Sequence, residues 1–136
     1  MKYDIYKVGG IILKDKKLLI SRSKNKDFFI APGGKIEKNE TSKGALIREL
    51  KEELSIIVQE NQLREFDTFY APAAGNESNI LRMDVFVVQD WEGEIIPANE
   101  IEEIQWVDSD FSKEIKIGSI FKHEVIPKLK SLKMIK

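Results

Sequence analysis

The chain has 136 residues, 42% of them apolar and 33% charged, with a formal net charge of -1 and a pI near 5.9. That length suits one domain able to bury its own core, and the near-neutral balance lacks the basic footprint of a protein that grips long nucleic acid. With no cysteine and one histidine, disulfides, thiolate chemistry and His- or Cys-built metal sites are excluded, so any metal must be held by oxygen.

The first apolar run, residues 8–13, contains Gly9 and Gly10 and stops at Lys14-Asp15-Lys16-Lys17. It is too short for a signal segment or a membrane span, which predicts a cytoplasmic protein with no membrane partner. Residues 3–13 and 18–22 read as a strand pair joined by that charged turn, and 28–31 as a further short strand. Pro32-Gly33-Gly34 then opens a loop reaching Asn39, with backbone geometries that glycine and asparagine tolerate best. A helix is predicted over 41–54. On its wheel Leu46, Ile47, Leu50 and Leu54 fill a packing arc, while Ala45, Glu49, Glu52 and Glu53 fill an adjacent one beside Arg48. Residues 56–58, 64–70, 80–88 and 104–107 read as strands, with 75–79 as a hairpin loop. The end, 119–132, reads as a helix that Pro127 should kink or break. Strands on both sides of a central helix, with another helix last, predict an α/β fold with a mixed sheet layered between helices.

Glu49, Glu52 and Glu53 carry the clearest chemical statement. Their i, i+3, i+4 spacing stacks like charges near a helix C-terminus, where each pair costs a few tenths of a kcal/mol and the macrodipole opposes anions. A cation facing them would offset both terms. Alone, three glutamates on a helix are more often a solvated face. Their surroundings change that reading. Gly34, five spacers, Glu40, seven spacers and then Arg48-Glu49-Leu50-Lys51-Glu52-Glu53 form one continuous pattern, preceded by Pro32-Gly33, Phe29 and Arg22.

This pattern, over residues 34–56, resembles the box of the Nudix hydrolases. The resemblance implies a Nudix-type α/β/α sandwich filling residues 1–136 as a single domain. It also implies Mg²⁺ or Mn²⁺ held by Glu49, Glu52 and Glu53 with the Gly33 carbonyl, and Arg48 and Glu40 orienting those ligands. Arg22 and Gly34 would meet substrate. Hard divalent ions favour such oxygen ligands and keep positions open for phosphate. For the general base the family offers Glu49, Glu100, six residues before Trp106, or Glu103, of which Glu100 is preferred. The implied activity is pyrophosphohydrolysis of a nucleoside diphosphate derivative by metal-activated water. A nucleoside triphosphate, an oxidised nucleotide or an ADP-ribose type would suit equally. The implied partners are a small nucleotide-type substrate and, as in small relatives, a second copy in a homodimer.

Two other classes share the fold. A nucleotide-binding sensor without turnover usually loses a box glutamate, and all are present here; an isopentenyl-diphosphate isomerase normally brings a catalytic cysteine, absent here. Ser55 departs from the pattern, standing where the box usually has a glycine cap. Pro72 is reminiscent in spacing of ADP-ribose-cleaving members and Tyr70 of dinucleoside polyphosphate members. Phe29 and Trp106 read as packing residues, His123 as a surface residue, and Lys128, Lys130, Lys133 and Lys136 as a solvated face.

Overall fold

The computed structural model describes residues 2–73 and 76–136. Four strands build the larger sheet: β1 (Ile5–Ile11), β4 (Gly33–Lys35), β5 (Leu63–Ala73) and β6 (Asn76–Val88), in the order β4-β1-β6-β5. β1 runs parallel to β6 and antiparallel to β4, and β5 is antiparallel to β6, so the sheet is mixed. A smaller antiparallel sheet orders β2 (Leu13–Lys14), β3 (Lys17–Ser23) and β7 (Ile101–Val107) as β2-β3-β7. The main helix, α1 (Ser42–Leu54), starts where Thr41 accepts a hydrogen bond from the Gly44 amide at 3.0 Å, satisfying one of the orphan donors of a helix start.

Strand alternation divides the apolar residues between two layers. Val8, Ile12, Leu19, Phe86 and Val88 join Leu46, Leu50 and Leu54 of α1 in one cluster. Ile11, Leu18, Ile20 and Val85 join Phe121, Val125 and Leu129 of the C-terminal helical segment in the other. The result is a mixed sheet with helices on both faces, the α/β sandwich expected. Among the described residues no helix is long and apolar enough to cross a membrane.

Several expected boundaries shift. The strand predicted over 3–13 divides into β1 and β2, so that β2 pairs with β3 in the second sheet. Phe29 and Ile30 make only isolated bridges, to Ile117 and Ser21, and Ile57 only one, to Glu92, so neither 28–31 nor 56–58 is a ladder strand. Of the hairpin loop predicted over 75–79, Glu77, Ser78 and Asn79 extend β6 instead, and Gly75 lies outside the described residues. These three lie between the rungs that pair Pro72 with Ile80 and Ala73 with Asn76, where the β5–β6 register shifts. The strand is held at Ile80 by Asp4, whose amide donates to the Ile80 carbonyl and whose carboxylate accepts from the Ile80 amide, both at 2.8 Å. Pro72 is tolerated because β5 is an edge strand. Ala45, expected beside the glutamates, is fully buried against the sheet.

The last helix does not stop at Pro127. A π-helical turn, Phe121–Val125, leads directly into α2 (Ile126–Ser131), with the Ile126 amide bonded back to the Phe121 carbonyl. The wider turn just before the proline accommodates a residue without an amide proton at the start of α2, where none is needed.

Candidate functional site

Packing fixes which of the α1 carboxylates turn inward. Glu53 lies on the sheet side of the helix and is 4% exposed, its Oε1 accepting from the Gly33 amide at 3.0 Å. That approach depends on the two glycines of the turn. Gly33 has φ +146°, and a Cβ on it would stand 2.0 Å from the Val8 carbonyl oxygen; a Cβ on Gly34 would stand 2.8 Å from Glu49 Oε1. A side chain at Gly33 would push β4 off β1, and one at Gly34 would displace the Glu49 carboxylate.

Glu100 completes the group from a distance in sequence. The carboxylate oxygens of Glu49, Glu53 and Glu100 all lie within 4.8 Å of one another. What carries Glu100 there is the segment before β7, which caps the end of α1. The Ile96 amide donates to the Leu54 carbonyl at 2.9 Å, the Ala98 amide to that of Glu53 at 2.9 Å, and Asn99 Nδ2 to that of Glu52 at 2.7 Å. The helix's last carbonyls thus find partners in one loop, satisfying groups that a helix end leaves open. From the other side, the Lys24 amide donates to the Glu100 carbonyl at 2.7 Å.

Ser55 itself adopts the left-handed cap, φ 65°, and its hydroxyl donates to the Ile96 carbonyl at 2.9 Å. That bond offsets the strain of a non-glycine residue there, about 1 kcal/mol on each side. The loop geometry survives the departure from glycine.

Arg48 organises the outer rim. Its Nε and Nη2 grip the two oxygens of Glu40 at 2.8 and 2.9 Å, its Nη1 reaches Glu49 Oε1 at 2.9 Å, and its Nη2 also donates to the Lys35 carbonyl at 3.2 Å. This clasp, with the Glu37 amide, holds the Glu40 carboxyl down at about 2. Glu52 stands apart: its side chain is 52% exposed and meets Arg48 at 3.5 Å. Of the three box glutamates, the structure therefore gathers Glu49 and Glu53 and sets Glu52 outside.

Electrostatics mark the cluster as a place short of positive charge. Burial, reinforced by Glu49, Glu100 and Glu52 and opposed by the Gly33 amide, pushes the Glu53 carboxyl from 4.5 up to about 8. Burial also raises that of Glu49, against the pull of Arg48. Converging carboxylates with raised pKa values are the donor set a hard divalent cation would neutralise, so the residues fit Mg²⁺ or Mn²⁺. For Gly33 the observed contact to the cluster is its amide on Glu53.

The remaining expected residues lie elsewhere. Arg22 is engaged along the β3–β7 rung, Nε to Glu103 Oε1 at 2.9 Å and Nη1 to the Lys26 carbonyl at 2.8 Å. This occupies Glu103 and leaves Glu100 as the acidic-loop residue at the cluster. Phe29 is buried, Trp106 packs against the α1-side core, and His123 is exposed. Sequence reasoning missed Asn99. Its signal was an asparagine next to the favoured acid, a residue suited to the left-handed φ of 54° it adopts.

A model of the NUDIX domain matches residues 5–129. The chain is 31% identical over 115 residues to an ADP-ribose pyrophosphatase of Methanocaldococcus jannaschii, covering 79% of this chain and 66% of that protein. It is 29% identical over 98 residues to the uncharacterized Nudix hydrolase YvcI of Bacillus subtilis, covering 72% and 62%. The chain thus spans just under two thirds of the length of each of these relatives. Among solved structures, the E. coli ORF135 protein superposes with a TM-score of 0.70 at 26% identity, over 94% of this chain and 87% of that one.

Proposed function

The chain belongs to the Nudix hydrolase superfamily, and from that premise we propose that it is a pyrophosphohydrolase cleaving the diphosphate linkage of a small nucleotide derivative. The observation that carries this reading is the convergence of Glu49, Glu53 and Glu100 within 4.8 Å, behind a glycine turn that admits no side chain. In this reading Glu49 and Glu53, with Glu52 on the rim and the Gly33 carbonyl, hold Mg²⁺ or Mn²⁺. Such an ion supplies charge neutralisation for the diphosphate and a lowered pKa for a coordinated water.

The chain's own groups do the rest. Arg48 fixes the Glu49 carboxylate through a guanidinium already locked on Glu40, so the ligand keeps one orientation. Glu100, exposed and held through its backbone by Lys24, accepts the proton from the attacking water. Gly34 leaves the approach to Glu49 open for phosphate. Arg22 binds a phosphate or base of the substrate by exchanging its Glu103 partner.

The test is phosphate release, after a coupling phosphatase, from nucleoside triphosphates, oxidised nucleotides, ADP-ribose and dinucleoside polyphosphates with Mg²⁺ or Mn²⁺. Metal-dependent turnover of one class, lowered by several orders of magnitude in Glu53→Gln, is expected. Equal turnover in that variant would overturn the assignment, and nucleotide binding without turnover would favour a sensor.

A further inference from the structure

On the far side of β4 from the glutamates lies a cavity of about 170 Å³, walled by apolar groups that include Phe28, Ile30, Met83 and Phe121. Ala31, two residues before Gly33, lines it, so the cavity and the carboxylate cluster share one stretch of backbone. One cation stands in this wall, Lys7 of β1. Among the described residues no carboxylate lies within ion-pair distance of it, and its partner across the β1–β4 ladder is Lys35, another cation. Burial, and then Lys35, depress its pKa. A half-buried ammonium facing a like charge is unfavourable in the free protein and calls for a hydrogen-bond acceptor from outside.

We propose that Lys7 is a specificity-determining residue, donating a hydrogen bond to the keto oxygen at C6 of a purine or C4 of a pyrimidine seated in this cavity. The inference rests on the nucleotide reading above. An apolar box takes a flat ring, and an ammonium is a donor only. Guanine and uracil present a keto oxygen at the edge where adenine and cytosine present an amino group, and an amino group would set donor against donor. Ser119, the other hydroxyl or charged side chain in the wall, both donates and accepts, and so does not discriminate. The chain therefore favours keto bases over amino bases.

The experiment measures calorimetric binding of GMP, UMP, AMP and CMP, with Mg²⁺ present, to the wild type and to Lys7→Met, Lys7→Gln and Lys7→Arg. Turnover of GTP and ATP is followed in parallel. Wild type should hold the keto pair roughly 10- to 100-fold tighter than the amino pair, the range for a hydrogen bond to a charged group. Lys7→Met and Lys7→Gln should bring that ratio close to unity, and Lys7→Arg should restore much of it. A ratio unchanged in both neutral variants overturns the proposal. So does equal weakening of all four ligands, which would place Lys7 on the phosphate, and so does a wild type that binds none of them. A Lys7-dependent keto preference without turnover keeps the proposal and removes the hydrolase reading. Turnover with a preference indifferent to Lys7 does the reverse.

Discussion

Glu53→Gln separates the stability of this protein from its chemistry. In the folded chain the Glu53 carboxyl titrates near 8, against an ordinary value of 4.5, chiefly because it is buried. A folded-state pKa above the unfolded one means the native state holds its proton more tightly. The associated stability is complete below about pH 4.5 and disappears as pH climbs through about 8. At about 1.4 kcal/mol per pH unit, the loss approaches a ceiling of about 5 kcal/mol by pH 9, a large part of a typical domain's stability. Glutamine keeps the shape and the acceptor for the Gly33 amide but has nothing to ionise. Urea unfolding in a chelator should therefore find Glu53→Gln close to wild type at pH 5 and more stable by about 2–5 kcal/mol at pH 9. Excess Mg²⁺ should narrow the gap by stabilising wild type through mass action while leaving the variant little changed. Unfolding midpoints that stay parallel from pH 5 to 9 would refute the argument, because the buried charge would then carry no penalty.

Gly33→Ala sets a Cβ 2.0 Å from the Val8 carbonyl. A contact that short forces β4 off β1 and should cost more than about 3 kcal/mol, visible as a large drop in thermal midpoint or as insoluble protein. Asn99→Ala removes the Nδ2 bond to Glu52 and leaves alanine in a left-handed conformation. It should lower stability by about 1–2 kcal/mol in denaturant titration and, by loosening the loop that delivers Glu100, weaken Mg²⁺ binding measured by calorimetry. Unchanged metal affinity with reduced stability would show that the Glu100 loop holds its place without this cap.

How much of this was readable in advance follows the range of the contacts. α1 was legible to within one residue because its signals are local: leucines at helical spacing and, after Leu54, the position where a glycine cap is usual; that Thr41 caps the helix and does not join it came from the structure. The box geometry around Arg48 was legible for the same reason, with Glu40, Glu49 and Glu52 within eight positions of it. Strand pairing was not, since nothing near residues 12–13 states that the chain leaves one sheet for another, and Phe29 meets Ile117 across about two thirds of the sequence. Glu52 and Glu53 differ by one position and share a composition. Their helical phases differ by about 100°, so Glu53 falls beside Leu46 and Leu50, where β4 covers it, and Glu52 falls toward the surface. The π-turn before Pro127 is a compromise between a residue lacking an amide proton and a helix that must still bury Phe121, Val125 and Leu129, which periodicity alone does not foresee.

The capping of α1 by Ile96, Ala98 and Asn99 has a consequence for how the molecule comes into being. More than a third of the chain separates Glu49 from Glu100, and the strand that anchors the loop, β7, pairs with β3 near the N-terminus. During synthesis the box emerges first, as a helix with bare terminal carbonyls and a pair of inward carboxylates lacking their third member. On the metal reading proposed above, the three-carboxylate group is complete only once the distal segment docks, so a chain truncated before residue 96 should bind divalent ions more weakly than the full one.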